Sequence, residues 1–202
     1  MILFIRIPKN ASTSLYESFG LKNIIHSREE VLQKKLSALS WWQRFAHPSH
    51  VNLEMAINFL GMEVLNYLKV CCVRNPFARL VSAFEFAKKF EVWRVYSDKE
   101  PAFDEFVEYY CNRVNDKTFV HGNSQTRWIS YQKQIRMDYI IRFENLAEDL
   151  NKFNSDYGYD FKLDHLNKTE HKDYSFYYSK KLKQLVYDAY KVDFDNFNYE
   201  FN

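Results

Sequence analysis

Residues 2–15 read ILFIRIPKNASTSL. The run Ile2, Leu3, Phe4, Ile5 and Ile7 is β-branched and aromatic and is bounded by Pro8, the signature of a buried strand. Ser14 followed three residues later by Glu17 is a capping-box pattern, which predicts a helix starting near Ser12 to Ser14. A strand entering a helix through a short polar loop presents backbone N–H groups and the positive end of the helix dipole, an arrangement that suits an anion. Lys9 adds a point charge there, and Ser12, Thr13 and Ser14 add hydroxyls. An ordinary strand–turn–helix with a solvated lysine remains the competing reading of this segment alone.

The rest of the chain sets the frame. Its 202 residues suffice for one domain, 1–202, with a full core. Apolar content of 47% and charged content of 27% are globular values, and a net charge of +2 does not argue for nucleic acid. With 4 glycines in all, a phosphate-binding loop here has to be built from Asn, Ala, Ser and Thr. The histidines lack metal-ligand spacing, and Cys71, Cys72 and Cys111 form no zinc pattern. Cys71 and Cys72 are adjacent in an apparent strand and so face opposite sides, which argues against a disulfide framework and for a reducing compartment. No apolar run reaches membrane-spanning length, and a strand beginning at Ile2 leaves no room for a signal peptide. The expectation is a soluble, cytoplasmic chain without a membrane anchor.

Outward from the first helix, Asn23–His26 reads as a short strand, 28–39 as a helix and 40–51 (SWWQRFAHPSHV) as an irregular aromatic-basic loop. Leu53, Ala56, Ile57 and Leu60 have helical spacing between an Asn52 N-cap and a Gly61 stop. Lys69–Val73 is the second clear strand, and Pro76 opens a helix whose apolar stripe is Leu80, Val81, Phe84 and Ala87. Phe103, Phe106, Val107 and Tyr110 mark another helix, Tyr139–Phe143 a third strand with a helix through Leu146 and Leu150, and Lys180–Lys191 the last helix. Strands alternating with helices predict an α/β fold, three-layer α/β/α with a central, mostly parallel sheet. Ligands of such sheets bind beyond the carboxyl ends of the strands, where Pro8–Ser14 and Arg74–Pro76 both fall.

Arg74 stands at a strand tip beside a helix start, and Ser82 lies two turns along that helix. A guanidinium fork with a nearby hydroxyl suits a terminal phosphate, although a surface Arg and an unremarkable helical Ser read equally simply.

Taken together, PKNASTS after the first strand and VRNPFARLVSAF after a later one resemble the paired motifs of sulfotransferases that use 3′-phosphoadenosine 5′-phosphosulfate (PAPS). The likeness is greatest to the carbohydrate sulfotransferase family of chondroitin, dermatan and heparan-2-O enzymes and small bacterial relatives. HVNLEMAINFLG is similar to that family's His-led segment and YIIRFENLAEDL to its strand-then-Glu-Asn-Leu element. The tail from LNKTEHKDYSFYY to DFDNFNYEF resembles its C-terminal helix and closing aromatic pattern.

The resemblance implies a P-loop NTPase-like sulfotransferase fold and a set of roles. Lys9 would contact the 5′-phosphosulfate and stabilise charge on the bridging oxygen, and Asn10, Ala11, Ser12, Thr13 and Ser14 would cradle the same group. Arg74 and Ser82 would hold the 3′-phosphate. His50 falls nearest the family's catalytic histidine and would take the proton from an acceptor hydroxyl; His47 is the alternative. His26, His121, His165 and His171 have no comparable context, although His171 lies in a C-terminal loop that the family places near its donor. The implied reaction is in-line transfer of a sulfuryl group to a hydroxyl, on a saccharide or glycoconjugate, with no metal. The loop lacks the glycine often found there in relatives.

Two other readings compete. A P-loop kinase shares strand–loop–Lys–Ser/Thr–helix, but the G-x-x-x-x-G-K-[ST] spacing is absent. A catalytically inactive sulfotransferase-like domain would bind nucleotide or glycan without turnover. For the acceptor, Trp41, Trp42, Arg44 and Trp93 either line a sugar-stacking cleft or pack as core.

Overall fold

The computed structural model describes residues 1–20, 24–25, 50–116, 119–163 and 172–201. In chain order these form strand β1 (Ile2–Ile5), helix α1 (Ser12–Phe19), β2 (Ile24–Ile25), α2 (Leu53–Leu60), β3 (Leu68–Val73) and α3 (Pro76–Lys89). There follow α4 (Phe103–Asn112), the short α5 (Gln125–Ile129), a hairpin of β4 (Ser130–Tyr131) and β5 (Gln134–Ile135), then β6 (Tyr139–Arg142), α6 (Leu146–Tyr157) and α7 (Lys180–Phe197).

The main sheet has four strands in the order β2-β1-β3-β6, all parallel. Ile5 is in register with Cys71, and Cys71 with Ile140, so the carboxyl ends of β1, β3 and β6 lie side by side. Side-chain alternation sorts the sheet into two faces. Leu3, Ile5, Cys71 and Val73 pack with Leu53, Ala56 and Ile57 of α2 and with Trp128 and Ile129 of α5. Ile2, Phe4, Val70, Cys72 and Ile141 pack with Leu15 and Phe19 of α1 and with Leu146, Leu150 and Phe153 of α6. The chain is therefore a layered α/β fold with a parallel sheet between helices. Cys71 and Cys72 do face opposite sides, and both are buried free thiols. A further aromatic cluster joins α3, α4 and α7, with Phe77 against Tyr178 and Phe194 and Phe84 against Phe106.

Local chemistry explains the boundaries. Asn52 caps α2 by accepting from the Met55 N–H at 2.8 Å, and Gly61 stops it at φ 96°, a value that favours glycine. Asn75 caps α3 through the N–H groups of Phe77 and Ala78, with Pro76 at the first helical position. Two expectations need correction. α1 starts at Ser12, within the expected range, but it is entered through a left-handed Ala11 with no side-chain cap, so Ser14 lies inside the helix and forms no capping box. The last helix runs past Lys191 to Phe197, bent at Tyr190, whose φ and ψ are −108° and 19°. The helix expected over 28–39 and most of the 40–51 loop lie outside the described residues.

Candidate functional site

At the end of β1 the chain turns through Pro8, Lys9, Asn10 and Ala11 before α1 begins. Lys9 and Ala11 adopt φ 68° and 51°, so the turn takes left-handed conformations without glycine. Such residues cost about 1–2 kcal/mol each and persist only where surrounding bonds hold them. Those bonds are present. Asn10, fully buried, donates from Nδ2 to the Cys72 carbonyl at 2.8 Å and to Gln125 Oε1 at 2.6 Å. The Pro8 carbonyl accepts from Arg79 Nε at 3.3 Å, and the Lys9 carbonyl from Arg74 Nη1 at 3.3 Å. The loop's carbonyls thus turn toward the protein. The N–H groups of Ser12, Thr13 and Ser14, in the first turn of an uncapped helix, have no intrahelical acceptor. Ser12 and Ser14 are buried, whereas Thr13 is exposed and accepts from Arg6 Nη2 at 3.4 Å.

Two cations converge on this turn. The Lys9 ammonium lies 3.9 Å over the Phe86 ring, and burial, reinforced by the Arg74 charge, lowers its pKa to about 8. Arg74, only 7% exposed, stacks 3.9 Å over Phe143, and its Nε is buried without a hydrogen-bond partner. Burial pulls its pKa down to about 10, opposed chiefly by the nearby Glu144. Glu144 is already engaged: Oε1 accepts from the Asn75 N–H at 2.7 Å and Oε2 from the Tyr199 hydroxyl at 3.0 Å. Arg79, Ser82 and Phe86 fall at i, i+3 and i+7 on α3 and so share one side of it. Arg79 bonds Pro8 and Phe86 meets Lys9, which directs the side carrying the buried Ser82 toward the loop. Lys9, Asn10–Ser14 and Arg74 are accordingly gathered at the carboxyl edge of the sheet, with Ser82 two turns along α3 on the side that faces the loop.

The segment joining the two loops escaped the sequence reading. Gln125 opens α5 and is fully buried. Its Nε2 donates to the Arg74 carbonyl at 2.8 Å, while its Oε1 accepts from the Arg74 N–H at 2.8 Å and from Asn10 Nδ2. Carbonyl oxygens only accept, so Cys72 and Arg74 fix the orientation of both amides. Gln125 is seated in turn by Asp193 of α7, whose carboxylate accepts from the N–H groups of Gln125 at 2.7 Å and Thr126 at 2.8 Å. Burial pushes the Asp193 carboxyl upward while these bonds pull it back. Arg79 completes the frame by donating to the carbonyls of Asn123 and His121. The available signals were faint: Ser124 as an N-cap before a five-residue helix too short for periodicity to register.

His50 precedes α2. Its Nδ1 lies 2.7 Å from the Arg6 carbonyl, an obligate acceptor, so Nδ1 carries the hydrogen and Nε2 holds the lone pair of the neutral ring. The ring meets His121 edge-on at 5.4 Å and Trp128 at 6.1 Å, so His121, for which the sequence offered no context, belongs to the same neighbourhood. Trp93 is 8% exposed and packs as core. Trp41, Trp42, Arg44, His26, His47, His165 and His171 lie outside the described residues. Among the described residues no cluster of His, Cys, Asp and Glu could hold a metal ion, and no helix is long and apolar enough to cross a membrane.

A protein-family model described as "Sulfotransferase family" matches residues 1–200 of the chain. Carbohydrate sulfotransferase 12 of Xenopus laevis is 25% identical over 249 residues covering 98% of the chain. The chain spans 58% of that relative's length. No solved structure matches the chain.

Proposed function

The chain belongs to the sulfotransferase family, and from that premise we propose that it moves a sulfuryl group from PAPS to a hydroxyl, on a carbohydrate acceptor, within one catalytic domain. One observation carries the donor assignment. Two desolvated cations, Lys9 and Arg74, meet at the uncapped start of α1, and Arg74 keeps a buried Nε–H without a partner. A site of that kind is complete only with a multiply charged anion in it.

In this reading the first-turn N–H groups of α1 hold the 5′-phosphosulfate, and Arg74 with Ser82 holds the 3′-phosphate. His50 Nε2 removes the proton of the acceptor hydroxyl as its oxygen bonds to sulfur. The bond from sulfur to the bridging oxygen breaks, its electron pair stays on the departing 5′-phosphate, and Lys9 stabilises that growing charge. Positioning and charge stabilisation of this kind suit a loose in-line transfer. The name of the Xenopus laevis relative, a carbohydrate sulfotransferase, supports the carbohydrate acceptor.

Transfer of label from [35S]PAPS into a panel of saccharide hydroxyls tests the reading. Labelled product is expected. Nucleotide binding without transfer would identify an inactive binding domain, and ATP hydrolysis in its place would identify a kinase-like site.

A further inference from the structure

Gln125 touches both anion loops and belongs to neither. Through one carboxamide it holds the Asn10 side chain of the first loop and both backbone polar groups of Arg74 in the second. Each hydrogen bond is 2.8 Å or shorter, and the group is fully buried. Beside the direct bonds from Asn10 to the Cys72 carbonyl and from Arg74 to the Lys9 carbonyl, the loops are thus braced by a side chain clamped from behind by Asp193, itself completely buried on α7. Asp193 also takes the Thr126 hydroxyl at 2.8 Å, so the anchor reaches α5 at three points.

We propose that Gln125 is a positioning residue that fixes the spacing of the two loops, so that the two phosphate groups of one nucleotide are held at once. The proposal rests on the donor reading above. A ligand carrying two anionic groups gains from the second only when both receptors are already at the matching separation; loosening the spacer removes that gain even where each loop still binds its own group. A residue that merely kept the domain folded would, when replaced, lower the folded fraction and leave the gain per folded molecule unchanged.

The measurement is calorimetric, with two probes: 3′-phosphoadenosine 5′-phosphate (PAP), which carries both groups, and AMP, which lacks the 3′-phosphate. The ratio of the two dissociation constants is the gain. In Gln125→Met, which keeps the length and loses all three bonds, the gain is expected to fall by about fivefold or more, with AMP affinity falling less than PAP affinity. Asp193→Asn, which touches neither loop and replaces one accepting oxygen with an amino group facing an N–H donor, is expected to lower the gain in the same direction by a smaller factor, and it carries the test should Gln125→Met fail to fold. An unchanged gain in both variants, or in Asp193→Asn alone should Gln125→Met not fold, overturns the role of Gln125 and leaves the donor reading standing. A wild-type chain that binds neither probe, or both equally, overturns the two together.

Discussion

Arg74 donates from Nη1 to the main-chain oxygen of Lys9 at 3.3 Å, so the guanidinium that would grip one phosphate also steadies the residue that would face the other. Its charge and the burial around Lys9 act in the same direction on the ammonium, lowering its pKa to about 8.

That depression predicts how nucleotide binding responds to pH. A bound anion favours the charged lysine and raises its pKa, so above about pH 8 binding draws a proton from solution. PAP affinity should be flat between about pH 7 and 8, where the phosphates are fully ionised, and fall as pH rises further, by at most about tenfold per pH unit for a single linked proton. Calorimetry in buffers of different ionisation enthalpy should detect proton uptake at pH 9 and little at pH 7. Lys9→Arg should abolish both effects; a persistent fall in that variant would assign the proton elsewhere.

PAP should bind more tightly than AMP. In the proposed reading Arg74 and Ser82 hold a group that AMP lacks, and each charged hydrogen bond lost costs about 1.5–3 kcal/mol, or roughly tenfold or more in affinity. Equal affinities would remove the 3′-phosphate from Arg74 and Ser82.

Lys9→Ala should lower turnover far more than PAP affinity. Charge on the bridging oxygen grows as the bond to sulfur breaks, so an ammonium aimed at it acts mainly in the transition state. Near-normal turnover at saturating donor would make Lys9 only a binding residue or a bystander.

His50→Ala should reduce transfer by about 10²–10⁴-fold, the range for loss of a general base, with PAP affinity little changed. The pH–rate profile should also lose its acidic limb. The Arg6 carbonyl holds the ring in the tautomer a base needs. Full activity in His50→Ala, with loss in His47→Ala, would move the base to His47; full activity in both would remove histidine catalysis from the mechanism.

Ala11→Gly tests the turn itself. Ala11 sits at φ 51°, where glycine removes about 1–2 kcal/mol of strain and costs about 0.5–1 kcal/mol of unfolded-state entropy. The variant should be as stable as the parent or slightly more so in urea unfolding. A loss above about 1 kcal/mol, the usual effect of glycine inside a helix, would show that the turn is unstrained.

How much of this was legible in the sequence depended on whether the controlling interactions are local. β1, β3 and β6 are apolar runs with sharp edges, and Asn52, Gly61, Asn75 and Pro76 act within a few residues, so those elements and the strand-end positions of Lys9 and Arg74 could be read directly. Ser14 and Glu17 suggest a capping box that does not form, because the helix is entered through a left-handed Ala11 whose neighbour Asn10 is held by distant bonds. Gln125 and His121 gain their meaning from partners that only the folded sheet brings close. Asp193 lies beyond the Lys180–Lys191 helix that the sequence suggests; the helix instead continues past a bend at Tyr190, whose hydroxyl bonds the Gly122 carbonyl at 2.7 Å, and Asp193 accepts from the start of α5.

That bend has a kinetic consequence. The proposed nucleotide site draws on Lys9, Arg74, Gln125 and Asp193 together, which joins segments drawn from nearly the whole length of the chain. Closing such long loops is slow, so contacts of this kind form after the more local ones. A half-folded chain with its sheet assembled but α7 undocked would have the loops without their spacer. Nucleotide should therefore leave the refolding rate nearly unchanged and act as a brake on unfolding, lengthening the lifetime of the native state as its concentration rises.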